Sequence, residues 1–145
     1  ARNGSELQQA LATIRTLSAG KLHCVVGAEG LRDRSERLGL AMAAEAGADH
    51  VILTSDNPRT EDPNQVLDDL LAGFRRPGRV QVEPDRRLAI ETALASAAPG
   101  DAVLIAGKGT RTYQILADHA LPFDDRVEAS RWLRLQQGWS RRNSA

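Results

Sequence analysis

The turn Asp56-Asn57-Pro58-Arg59 sets a carboxylate, an amide and a guanidinium on a short backbone stiffened by proline. That set suits an amino-acid zwitterion: Arg59 can pair with a carboxylate in forked geometry, and Asn57 offers both a donor and an acceptor. The competing reading is an Asx-type turn in which Arg59 bonds to Glu61 or Asp62. Two glycine loops accompany this turn, Gly27-Ala28-Glu29-Gly30-Leu31-Arg32-Asp33-Arg34 and Gly107-Lys108-Gly109-Thr110-Arg111. Both look like phosphate cradles, yet neither passes the stricter test. Lys108 is followed by Gly109 and lacks the GxxxxGK[ST] spacing, and the first loop offers Gly27 and Gly30 rather than GxGxxG. Tight turns are the plainer reading of these glycines.

Such loops need elements to hold them. Short runs of Val, Ile and Leu alternate with longer stretches of helical periodicity, the pattern of an α/β domain with a mostly parallel sheet. The expected order is a helix over 5–17, a strand over 22–26, a helix over 35–46, a strand over 51–54 and a helix over 62–74. A strand over 79–82, a helix over 85–97, a strand over 102–106, a short irregular section from Tyr113 through Pro122 and a last helix over 124–137 complete it. Asp62, Asp85 and Asp124 are placed to cap helices, and Pro63 fits a first helical turn. The tail over 139–145 reads as frayed. In an open parallel sheet, ligands gather at the carboxyl ends of the strands. The three loops follow the strands over 22–26, 51–54 and 102–106, so they are expected to open on one edge.

Composition narrows the classes of function. The 145 residues are 41% hydrophobic, enough for one domain with a real core and without repeat or linker. A formal net charge of +0 excludes the one-sided field of a general nucleic-acid or membrane-surface binder. Lys21 and Lys108 are the only lysines, so positive charge here is almost all guanidinium. Cys24 stands alone in an apolar run, which rules out a disulfide or a cysteine zinc site within the chain and fits a reducing cytoplasm. His23, His50 and His119 are too scattered for a metal triad and read as structural or surface residues. No stretch approaches the roughly 20 apolar residues that span a bilayer. Trp132 and Leu133 are expected to pack on the sheet. A start at Ala1 rather than Met suggests a single domain, 1–145, excised from a longer chain.

In this order and spacing the loops resemble the C-terminal domain of the Mur ligases, in particular the UDP-N-acetylmuramoyl-tripeptide synthetases. Asp56-Asn57-Pro58-Arg59 followed by Glu61-Asp62-Pro63 is similar to the DNPR.E.P motif of members that add meso-diaminopimelate rather than lysine. Gly107-Lys108-Gly109 with Tyr113-Gln114, then Pro122-Phe123-Asp124-Asp125-Arg126, resembles the GKGHE.YQ and PF.DR patterns, and Arg32-Asp33-Arg34 with Arg37 resembles the G.GGDRD..KR loop. The resemblance covers nearly the whole chain. It implies a three-layer Rossmann-like domain with a mostly parallel sheet and an antiparallel edge. It also implies an ATP- and magnesium-dependent amide ligase of peptidoglycan precursor synthesis, with the nucleotide and metal bound mainly by another domain. Its partners would be UDP-MurNAc-dipeptide and meso-diaminopimelate or another diamino acid, and the isolated chain would not be catalytically competent. By the same resemblance Arg32, Asn57 and Arg59 grip one end of diaminopimelate and the Gly107 carbonyl faces the other, while Asp56, Pro58, Lys108 and Gly109 complete the motifs.

The departures from that pattern carry information too. Arg111 replaces the glutamate expected to accept the far ammonium of diaminopimelate, and Thr110 replaces its neighbouring histidine. Leu31 stands where an aspartate would contact nucleotide. Ala28 and Glu29 replace small, glycine-like positions, and Glu29 would repel phosphates unless turned away. These changes keep open a Mur-ligase-derived binding or scaffold module without catalysis, and a small nucleotide-binding domain of another α/β enzyme.

Overall fold

Every residue of the first strand is buried, as its unbroken apolar run requires of a central parallel strand. The computed structural model describes residues 1–143. Its elements are α1 (Gly4–Leu17), β1 (Leu22–Val26), α2 (Arg34–Gly47), β2 (His50–Leu53) and α3 (Pro63–Leu71), then a 3-10 turn at Pro77–Arg79. There follow β3 (Val80–Val82), α4 (Arg86–Ser96), β4 (Ala102–Ala106), β5 (Tyr113–Leu116), β6 (His119–Pro122) and α5 (Asp125–Asn143). The sheet is parallel throughout in the order β3-β2-β1-β4, with Cys24 beside Val51 on one flank and Leu104 on the other.

Helices cover both faces, giving the expected three layers. On one side Leu7 and Leu11 of α1, Leu40 and Ala44 of α2, and Val66 and Leu70 of α3 pack over Cys24, Val26 and Leu53. On the other, Ala89, Ile90 and Ala93 of α4 pack over Val25 and Ile52, with Ala129 of α5 against them. Cys24 is thus core, and burial pushes its thiol up to about 12.

Local chemistry fixes the helix starts. Asp62 accepts from the Asn64 amide with Pro63 in the first turn, Asp85 accepts from the amides of Arg87 and Leu88, and Asp124 accepts from the Arg126 amide. The antiparallel element is a sheet of its own, β5 against β6, joined to the main body through a bridge between Arg59 and Leu116. The stretch expected to be irregular is therefore a hairpin. The last helix also runs further than expected, through Asn143, so of the tail only 144–145 lie outside the described residues. Leu133 does not pack on the sheet: it is 46% exposed, and Trp132 is half-buried.

Candidate functional site

The chain leaves β1 and β4, adjacent in the sheet, toward different elements, which opens a crevice at their carboxyl ends. Gly27 and Gly107 form its floor. Gly107 has φ +107°, and a Cβ there would lie 2.7 Å from the Gly27 carbonyl oxygen, so only glycine lets these two backbones touch. Glu29, Arg32, Asp56 and Gly107 are among the residues lining the cleft, whose cavity volume is about 10 Å³, room for one water.

Glu29 is the centre of this arrangement. Its Oε1 accepts from Arg59 Nη2 at 2.6 Å and Nε at 3.0 Å. Arg111 forks over the same carboxylate, Nη1 lying 2.9 Å from Oε1 and Nη2 3.2 Å from Oε2, and Arg32 Nη2 adds a longer contact of 3.3 Å. One carboxylate thus faces guanidiniums from three loops. Burial would raise the Glu29 pKa, but the hydrogen bonds from Arg59 and Arg111 outweigh it and hold the group at about 2. Arg59 bonds to neither Glu61 nor Asp62. Glu61 instead receives Arg37 Nη2 at 2.7 Å and the Leu31 amide.

The motif turn is locked from beneath. Asn57 is fully buried; its Oδ1 accepts from the Ile115 amide at 2.7 Å and its carbonyl from the Gly30 amide at 2.7 Å, so this residue ties three loops together. Its Nδ2 has no partner. Asp56 is 2% exposed, its carbonyl accepts from Gln114 Nε2, and its carboxylate Oδ1 is likewise without a partner. Burial raises the Asp56 pKa, opposed by the charges of Arg86, Lys108 and Arg111. Behind this turn Arg86 holds Asp125 with two bonds of 2.7 Å and donates to the carbonyls of Ala106 and Ser55. Lys108 is buried as well: its ammonium donates to the Tyr113 carbonyl and sits 5.9 and 5.7 Å from the ring centres of Tyr113 and Phe123. Gly109 takes φ +62° in open space.

The arrangement offers guanidiniums for carboxylates and, on Asp56, a buried oxygen for an ammonium. The match to known proteins fits that chemistry. The model of the family described as Mur ligase, glutamate ligase domain, matches residues 1–109. The chain belongs to this family. A UDP-N-acetylmuramoyl-L-alanyl-D-glutamate–2,6-diaminopimelate ligase of Prochlorococcus marinus is 49% identical over 90% of the chain, and one of a Synechococcus species is 52% identical over 88%. The chain spans about a quarter, 26%, of either relative. A solved ligase of the same name superposes with a TM-score of 0.89 at 41% identity, covering 94% of this chain and 28% of the other.

Within this Mur ligase domain the structure brings Arg32, Asp56 and Gly107 to one cleft, sets Arg59 and Arg111 on the Glu29 carboxylate that lines it, and buries Asn57, Pro58 and Lys108. Sequence reasoning missed Glu29 as the hub. It also missed Arg86 and Asp125 as the brace behind the motif turn, and Gln114 as its tether. Only the near-exclusive use of arginine over lysine for positive charge hinted at such pairings. Among the described residues no three His, Cys, Asp or Glu gather to hold a metal ion, and no helix is long and apolar enough to cross a membrane.

Proposed function

We propose that this chain is the C-terminal, amino-acid-binding domain of a longer ATP-dependent ligase that joins a diamino acid to UDP-MurNAc-L-Ala-D-Glu in the cytoplasm. The observation that carries the reading is the convergence of Arg32, Arg59 and Arg111 on Glu29, which lines one cleft with the unpartnered Asp56 oxygen, in a chain about half identical to diaminopimelate ligases. The guanidiniums take the carboxylate end of the amino acid. Asp56 Oδ1 and the Gly107 carbonyl take an ammonium, and Arg111 stands where the resemblance places a glutamate.

This domain's contribution is orientation. Fixing the attacking amine by its distal carboxylate and ammonium replaces part of a bimolecular entropy cost. The chain's own residues do not fit a triphosphate: the Lys108 ammonium is spent on the Tyr113 carbonyl, and the Glu29 carboxylate faces the cleft. Nucleotide and magnesium, which supply carboxylate activation in such a ligase, therefore belong to another part of the parent protein.

An amide-shift titration tests the reading. Shifts at Asn57, Arg59 and Gly107 with millimolar meso-diaminopimelate, and weaker ones with lysine, are expected, with none from ATP. Equal response to lysine and diaminopimelate would sink the specificity; shifts with ATP alone would favour a nucleotide-binding domain. The closed cleft and the Glu29 contacts favour a second reading, a scaffold module without a ligand site, which predicts no response to any amino acid.

A further inference from the structure

We propose that Glu29 is an internal ligand of this domain: its side-chain carboxylate occupies the carboxylate subsite formed by Arg59 and Arg111, and an incoming amino acid must displace it. The inference rests on the amino-acid-binding reading but adds a residue and a mode of entry to it.

Three observations support it. First, the stoichiometry is that of a ligand site rather than of an ion pair. Arg59 and Arg111 lie in loops that follow different strands, yet both converge on one oxygen, Glu29 Oε1, at 2.6 and 2.9 Å. Second, the exposures are asymmetric. The Glu29 side chain is 10% exposed while Arg59 and Arg111 are 39% and 27% exposed, so the carboxylate sits inside and the guanidiniums form the rim that a ligand meets first. Third, Glu29 lines a cleft with Arg32, Asp56 and Gly107 whose cavity of about 10 Å³ is far less than an amino acid needs. Beside it Asp56 Oδ1 is buried without a partner, an ammonium acceptor that the internal carboxylate leaves unused.

Displacement has a direction. Swinging out, Glu29 reaches solvent and can keep its contact with Arg32, which is itself shared with Glu36. The guanidiniums of Arg59 and Arg111 then pass to the carboxylate of the ligand, and the ammonium of the ligand reaches Asp56. Glu29 also sets selectivity, because a ligand without a carboxylate cannot compete for the fork.

The test compares the parent chain with Glu29→Ala and Glu29→Gln by amide-shift titration, using meso-diaminopimelate and, as a bare dicarboxylate, glutarate. Retention of the dispersed amide spectrum shows that each variant folds. Both variants are expected to bind both probes at least tenfold more tightly than the parent, with shifts at the Arg59 and Arg111 amides. Affinities within twofold of the parent would overturn the proposal and leave the ligase reading standing. Loss of all binding in the variants would overturn it too, showing Glu29 to be needed rather than competing. A tenfold gain for glutarate without any response to diaminopimelate would uphold the internal ligand and overturn the diaminopimelate reading instead.

Discussion

Two arginine–carboxylate centres touch the loop of the motif turn, and they are built on different ratios. Arg86 meets one carboxylate, Asp125, with two bonds of 2.7 Å, and also donates to the carbonyls of Ala106 and Ser55. Its side chain is fully buried. Glu29 meets three guanidiniums, each at least a quarter exposed, with bonds from 2.6 to 3.4 Å. A matched, dry pair with every guanidinium nitrogen bonded is a brace. A surplus of cations at the rim of a cleft is a place where a carboxylate can be exchanged. The same residue types thus do structural work in one place and offer recognition in the other, and stoichiometry with burial tells them apart.

Breaking the brace should give the largest effect. Arg86→Ala leaves Asp125 buried without its partner and is expected to cost about 3–5 kcal/mol in urea unfolding. A loss below about 1 kcal/mol would erase the distinction between the two centres.

Glu29→Gln should cost far less, about 1 kcal/mol, because its partners are each 27–39% exposed. The pH dependence sharpens this. A carboxylate lowered from its ordinary 4.5 to about 2 contributes stability that is complete above pH 4.5 and is lost as pH falls through about 2. Asp101 and Asp124, also held at about 2, titrate in the same window, so the difference between parent and variant isolates Glu29. The parent curve should fall more steeply from pH 4.5 to 2 than that of Glu29→Gln, and parallel curves would show that the guanidiniums do not hold this carboxylate in solution.

The smallest effect concerns the loop that carries Glu29. Leu31 has φ +61° and is 65% exposed, so it pays backbone strain and buries little. Leu31→Asn, which tolerates that conformation, is expected to raise stability by about 0.5–1 kcal/mol in thermal unfolding. A loss would mean that the Leu31 side chain contributes packing to the cleft rim.

Much of the frame was legible in the chain. The runs at Leu22–Val26 and Ala102–Ala106 became adjacent strands, and Asp62, Asp85 and Asp124 capped the helices they precede, because these signals are local and do not depend on distant residues. The hairpin was not legible. Its strands are four residues each, its turn at Ala117 and Asp118 lacks glycine, and it is held by Asn57 and Arg59, far away in the chain. At the site, the meeting of the three loops on one edge was foreseen, whereas Glu29 was read only as a charge that must turn away from phosphates. Its two closest-held partners lie 30 and 82 positions away.

By itself, then, the sequence determined the elements of the parallel sheet and its helices and which loops carry the polar groups, since periodicity, capping and the motif spacings are written within a few residues of one another. The tertiary structure alone decided which charges meet. Pairing across three loops depends on the register of β1 against β2 and β4, and on the close contact of Gly27 with Gly107 that lets those loops approach. That packing turned Glu29 inward to Arg59 and Arg111, and left Asp56 beside them without a partner.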